Sequence, residues 1–156
     1  MADRLAGKVA VVTGAGSRGP GVGNGKAAAV LFAREGASVL CVDLHVERAQ
    51  ETVGQIVAEG GAASAFAADV TKQSECAAMA AAAVARYGRL DILQNNVGIP
   101  SRQVLADITE DGWDDHMVVN VRSMVMAAQA CAPHMQAAGG GSIINISSIA
   151  GIIAGH

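Results

Sequence analysis

Charge is scarce in this chain. Of 156 residues only 16% are charged, the net charge is −3, and no run of Lys or Arg occurs. The missing basic cluster excludes the electrostatic footprint of a nucleic-acid or membrane-surface protein. Cysteine is also sparse. Cys41, Cys76 and Cys131 are odd in number, widely spaced and set in apolar runs. That arrangement excludes a disulfide or zinc framework and reads as buried, reduced thiols of a cytoplasmic protein. His45, His116, His134 and His156 show no metal-ligand spacing and no nearby carboxylate pair, so they read as structural or solvent-facing. The start, Met1-Ala2-Asp3-Arg4-Leu5, lacks the apolar core of a signal peptide.

An uninterrupted long apolar run is missing too. Ser123 to Gly155 contains no Asp, Glu, Lys or Arg, but Pro133, Gly139-Gly140-Gly141 and several Gln, Asn and Ser residues break it. A spanning helix needs about 20 mostly apolar residues without such breaks. The stretch is expected to be a buried helix, a turn and a buried strand, with no membrane span.

What remains is abundant apolar residue, 51% of the chain, which is a globular composition. The length suits one domain with a real core, so residues 1–156 are read as a single unit without a linker.

The stretch that organises the chain is Thr13-Gly14-Ala15-Gly16-Ser17-Arg18-Gly19-Pro20-Gly21-Val22-Gly23-Asn24-Gly25-Lys26. It follows the apolar run Val9-Ala10-Val11-Val12, a buried strand, and precedes a helix that stops at Gly36. Glycines let the backbone turn tightly and approach phosphates, and a helix N-terminus supplies free N–H groups and a positive dipole end. The strand–loop–helix context makes this loop a candidate dinucleotide cradle.

Further on, Ala37 to Val42 reads as a second strand ending at Asp43, and Val46 to Glu59 as an amphipathic helix. Ala63 to Ala68 reads as a third strand closing on Asp69-Val70. Thr71 is expected to cap an alanine-rich helix running to Tyr87. Leu90 to Gln94 is a fourth strand, followed by Asn95-Asn96-Val97-Gly98. A long helix is expected from Thr109 to about Ala138, with Pro133 as a candidate kink. Ser142 to Ile146 is a fifth strand, ending in Ser147-Ser148. The only repeat is the βα alternation itself. Five continuous apolar strands alternating with helices fit an α/β, Rossmann-like doubly wound parallel sheet. The expected strand order is 3-2-1-4-5, with a crevice at the carboxyl ends of strands 1 and 4.

Thr13-Gly14 through Gly25, Asp69-Val70, Asn95-Asn96-Val97-Gly98, Val119-Asn120-Val121 and Ser142-Ile143-Ile144-Asn145-Ile146-Ser147-Ser148 resemble the motifs of the short-chain dehydrogenase/reductase family. The likeness covers essentially the whole chain and implies a nicotinamide-dependent oxidoreductase acting on an alcohol or carbonyl. Two departures stand out. Counted back from Phe32-Ala33, the family's last glycine pair falls on Gly23-Asn24-Gly25, making Arg18 to Val22 an insertion. The other register places the pair on Gly21-Val22-Gly23. The first keeps Lys26-Ala27 and the helix face in phase. The family's Tyr-x-x-x-Lys pair would fall just past His156. The one tyrosine, Tyr87, and the lysines Lys8, Lys26 and Lys72 do not form it. The resemblance therefore covers an N-terminal part that stops before that motif and lacks the last strands of the full fold.

The resemblance implies a role for each candidate residue. Gly14, Ser17, Gly23, Asn24 and Gly25 would cradle the pyrophosphate. Asp43 would accept both hydroxyls of the adenosine ribose and repel a 2′-phosphate, favouring NAD over NADP, with Arg18 as the counterweight. Asp69 and Val70 would meet the adenine, and Asn96 and Gly98 would line the crevice. Ser148 would hydrogen-bond the substrate oxygen, and Asn120 would help hold the family's lysine through a water. Without Tyr and Lys the 156-residue chain is expected to be inactive. It is expected to be poorly soluble, with strand 5 an exposed sheet edge. The full-length protein would form homo-oligomers through the helix that starts at Glu110. Two rivals remain: a non-catalytic dinucleotide-binding module or degenerate fragment, and a methyltransferase, against which the Asn-rich loop and the Ser147-Ser148 strand end tell.

Overall fold

The computed structural model describes residues 3–19, 21–100 and 104–149. Five parallel strands, β1 (Val9–Thr13), β2 (Ser38–Asp43), β3 (Ala62–Ala67), β4 (Ile92–Asn95) and β5 (Ser142–Asn145), form one sheet in the order β3-β2-β1-β4-β5. All its pairings are parallel, with Thr13 beside Val42 and Val12 beside Gln94. The expected architecture is the observed one.

The central strands β1 and β2 are apolar nearly throughout because both of their faces are covered, and period-2 alternation shares their residues between two cores. On one face Val9, Val11, Leu40, Val42 and Leu93 pack against α3 (Gln73–Tyr87) and α5 (Ser123–Ala137), which supply Met79, Ala80, Ala83, Ala127 and Cys131. On the other, Ala10, Val12, Val39 and Cys41 pack against α1 (Asn24–Arg34) and α2 (Val46–Ala58) through Ala29, Val30, Ala49 and Ile56. All three cysteines are buried and free, and burial pushes the Cys41 and Cys131 thiols up to about 12. No described helix is long and apolar enough to cross a membrane.

Local expectations shift in five places. The third strand starts at Ala62, the fourth spans Ile92–Asn95, and the fifth ends at Asn145. Thr71 does not cap α3. Its hydroxyl and its N–H both donate to Asp69 Oδ1, at 2.7 and 3.0 Å, and Lys72 takes the cap position instead. The long helix is continuous in direction but not in winding. Thr109 caps α4 (Glu110–Met117) by accepting from the Gly112 N–H at 3.1 Å, then Val118–Arg122 adopt a π turn before α5, which runs through Pro133. A π turn admits one extra residue into the helix and is frequent at functional sites.

Candidate functional site

The strand order reverses at β1: the chain leaves it for β2 on one side, and β4 lies on the other. A crevice must open at the carboxyl ends of β1 and β4. There the structure has a cleft of about 730 Å³, lined by Gly14, Gly16 to Gly19, Gly21 to Gly25, Asp43, Arg48, Asp69 to Thr71 and Asn96 to Ile99. That volume falls in the range of small-molecule and cofactor sites, about 300–1,000 Å³.

Glycine is required where the loop folds against its neighbours. Gly14 has φ +63°, and a Cβ there would lie 3.2 Å from Asn96 Nδ2. A Cβ on Gly16 would collide with Arg48 Cβ and sit 2.8 Å from Asp43 Oδ2. Gly25, in the first turn of α1, meets the Gly14 carbonyl, and its Cβ would lie 2.6 Å from Asn96 Nδ2. Gly23 is the N-cap of α1, and its N–H donates to Ser17 Oγ at 3.2 Å. Gly23 and Gly25, the pair of the first glycine register, thus stand at the start of α1. The N–H groups of Asn24, Gly25 and Lys26 have no acceptor within the helix, and the first turn holds no acidic residue. Free N–H groups, a positive dipole end and backbone bare of side chains form a cradle that fits a diphosphate.

Asp43 stands at the other end of this cradle. Oδ2 accepts from the Gly16 N–H at 3.1 Å and Oδ1 from the His45 N–H at 3.0 Å, so the carboxylate is oriented by backbone on both sides. Each oxygen keeps a lone pair for a further donor such as a ribose hydroxyl. Asp69 is similarly turned into its own loop. The Thr71 hydroxyl, then the Thr71 N–H and Lys72, hold its carboxyl below the usual range despite partial burial. Val70 is buried beside it.

Thr13 joins β1 to the loop after β4: its hydroxyl donates to the Gln94 carbonyl at 3.3 Å and accepts from the Asn96 N–H at 3.1 Å. Asn96 Nδ2 donates to the Gly14 carbonyl at 3.2 Å, tying the two cleft loops together. Asn120, in the π turn, spends its whole amide on Ile99, accepting from its N–H at 2.7 Å and donating to its carbonyl at 3.0 Å. It holds the wall of the cleft from behind. Ser148 is exposed beyond β5 and lies outside the cleft lining. Thus the structure brings the glycine loop, Asp43, Asp69, Val70, Asn96 and Gly98 together, places Asn120 behind them, and leaves Ser148 apart. Arg48 and His45 also line this region, and no local motif announced them.

Comparison with known proteins agrees with this geometry. A family model for short chain dehydrogenases matches residues 8–155. An oxidoreductase of Thermotoga maritima is 41% identical over 94% of this chain and 56% of its own length. D-threitol dehydrogenase of Mycolicibacterium smegmatis is 37% identical over 97% of this chain and 56% of its own. The structure of 7α-hydroxysteroid dehydrogenase complexed with NADH and 7-oxo glycochenodeoxycholic acid superposes with a TM-score of 0.90 at 36% identity, over 99% of this chain and 58% of that one. The chain spans little more than half the length of the curated relatives it matches. The match across nearly all of its residues, on a five-strand sheet with the cleft at its switch point, decides the kinship: the chain belongs to the short-chain dehydrogenase/reductase family.

Proposed function

We propose that this chain carries the dinucleotide-binding part of an NAD-dependent oxidoreductase that moves a hydride between the nicotinamide and a small alcohol or ketone. The observation that carries the reading is Gly25 seated against Gly14 beneath an α1 N-terminus free of acid, with Asp43 held at the far side of the loop. Relatives named for D-threitol and cyclohexanol support a small alcohol as substrate. NAD would supply the hydride acceptor when bound. The chain's own residues bind and orient: the α1 N–H groups and the glycine loop hold the diphosphate, and Asp43 accepts the ribose hydroxyls. Asp69 and Val70 meet the adenine, while Asn96 and Gly98 wall the other half. Ser148 serves the substrate oxygen, and Asn120 positions the cleft loop.

Tyr87 does not stand in for the family's acid–base tyrosine. Its hydroxyl lies against β2 and β3, hydrogen-bonded to the Ser64 hydroxyl at 2.7 Å and 3.4 Å from the Val39 carbonyl near the start of β2, away from the carboxyl ends. Burial raises its pKa. The 156 residues alone are therefore expected to bind dinucleotide and to oxidise no alcohol. Exposed Trp113, Met117, Val121 and Val125 on successive turns of the long helix support a homo-oligomer in the whole protein.

Asp43→Asn tests the cofactor preference. It keeps the side-chain shape and removes the charge that opposes a 2′-phosphate. The ratio of NADH to NADPH affinity, read by fluorescence titration, is expected to move toward NADPH by about tenfold. An unchanged ratio would remove Asp43 from the ribose site.

A further inference from the structure

The glycine loop extends one cation across the cleft. Arg18 Nη2 donates to the Gly98 carbonyl at 3.3 Å, linking the loop after β1 to the loop after β4. The acceptor is held firmly, because the next residue, Ile99, has both backbone groups bound by Asn120. Asp43 lies elsewhere. It ends β2, which is separated from β4 by β1. Neighbouring strands are about 4.8 Å apart, so the strand behind Gly98 stands roughly 10 Å from the strand that carries Asp43. The Arg18 charge thus belongs to the gap between β1 and β4, on the far side of the glycine loop from the position suited to an adenosine ribose. Asn24 and Gly25, at the start of α1, line the same cleft.

Resting on the dinucleotide reading above, we propose that Arg18 is a diphosphate-binding residue whose guanidinium exchanges the Gly98 carbonyl for the diphosphate oxygens of the bound dinucleotide. A backbone carbonyl is a neutral acceptor, and Arg18 is exposed, so the present bond is readily given up. The guanidinium is charged in both bonds, but diphosphate oxygens add a full negative charge and accept the planar fork at two points, which a single carbonyl cannot do. The exchange is therefore downhill once a diphosphate enters. The consequence is specific. NADH and NADPH share the diphosphate, so Arg18 strengthens both equally and leaves the choice between them to other residues.

Arg18→Met and Arg18→Lys variants of the 156-residue chain, titrated with NADH and with NADPH at low and high salt, test this. In the Met variant both affinities are expected to fall by about tenfold with their ratio unchanged. Its salt dependence is expected to be flatter than that of the unsubstituted chain, a change that loss of a merely structural contact would not cause. Lys is expected to restore part of both effects. A loss confined to NADPH would move Arg18 to the 2′-phosphate and overturn the proposal, as would unchanged affinity for both. If the unsubstituted chain binds neither dinucleotide, the cofactor reading itself fails and takes this proposal with it, an outcome separable from a null result in the variants alone. Arg18 makes one exposed hydrogen bond, so the melting temperature of the free variants is expected to stay unchanged.

Discussion

Gly25→Ala is expected to destabilise the fold by about 3 kcal/mol and to abolish dinucleotide binding. The added Cβ has no space: it would run into the Gly14 carbonyl and lie 2.6 Å from Asn96 Nδ2. The first obstacle is backbone, so a rotamer change cannot relieve it, and α1 must move away from β1. That movement widens the cradle in which the α1 N–H groups would hold a diphosphate. The sign is opposite to helix propensity, since Gly to Ala inside a helix ordinarily gains about 0.5–1 kcal/mol. Gly54 supplies the internal contrast. It lies exposed in α2 with nothing within 4 Å of its would-be Cβ, so Gly54→Ala is expected to stabilise by roughly 0.5–1 kcal/mol. Chemical denaturation of the two variants measures both. If they shift in the same direction, close packing of Gly25 on Gly14 is not what fixes α1.

The second large effect lies at the other end of the sheet. Asp91 is 4% exposed and binds three neighbours at once. Oδ2 accepts from the Val9 N–H at 3.0 Å and Arg89 Nε at 2.8 Å, and Oδ1 from Arg89 Nη2 at 2.6 Å and Lys8 Nζ at 3.2 Å. Its backbone continues the link, donating to the Val9 carbonyl and accepting from the Ser142 N–H. One residue thus joins the starts of β1, β4 and β5. Asp91→Asn keeps the shape but loses the charge and one acceptor, and is expected to cost about 2–4 kcal/mol. The lower part of that range is favoured because Arg89 and Lys8 remain 40% and 46% exposed and can be rehydrated.

Acid should erase the difference. Burial opposes ionisation of Asp91, but the Arg89 bonds, the Val9 N–H and Lys8 outweigh it, and the carboxyl titrates below its ordinary value. A carboxyl depressed in the folded state contributes stability that is complete above the unfolded value, about 3.9, and is lost as pH falls through the folded one. The gap between the unsubstituted chain and Asp91→Asn should be full at pH 7 and shrink below about pH 4. A gap that stays constant down to pH 2 would show that the charge is not the source. NADH affinity should be unchanged, because Asp91 lies at the end of the sheet opposite the cleft.

The parts of this fold that the sequence makes legible are those where one residue type can do only one thing. Val9-Ala10-Val11-Val12 is apolar on both faces, so it has to be an interior strand, and the glycines that follow permit a turn tight enough to begin α1. Asp43 and Asp69 close apolar strands and thereby mark the cleft edge. Competition between local bonds was not legible. Thr71 reads as a cap, yet Asp69 two residues earlier offers its hydroxyl a carboxylate, a stronger acceptor than a cap position needs. The π turn is invisible in the periodicity, since residues 110–137 keep a helical pattern throughout. It is bound up with a distant contact, the Asn120 amide reaching Ile99, and with Ser123 Oγ donating to the Val119 carbonyl at 2.6 Å. The Arg18–Gly98 bond joins residues 80 positions apart, and no local pattern carries such a pairing.

The central claim is that the cleft at the ends of β1 and β4 takes the dinucleotide. Hydrogen–deuterium exchange of the chain with and without NADH tests it most directly. Slowed exchange is expected at Gly16, Ser17, Gly23 to Lys26, His45, Val70 and Asn96 to Ile99, with α4 and the start of β4 unaffected. Protection centred on Ile108 to Asp114 instead, or no change at saturating NADH, would contradict it.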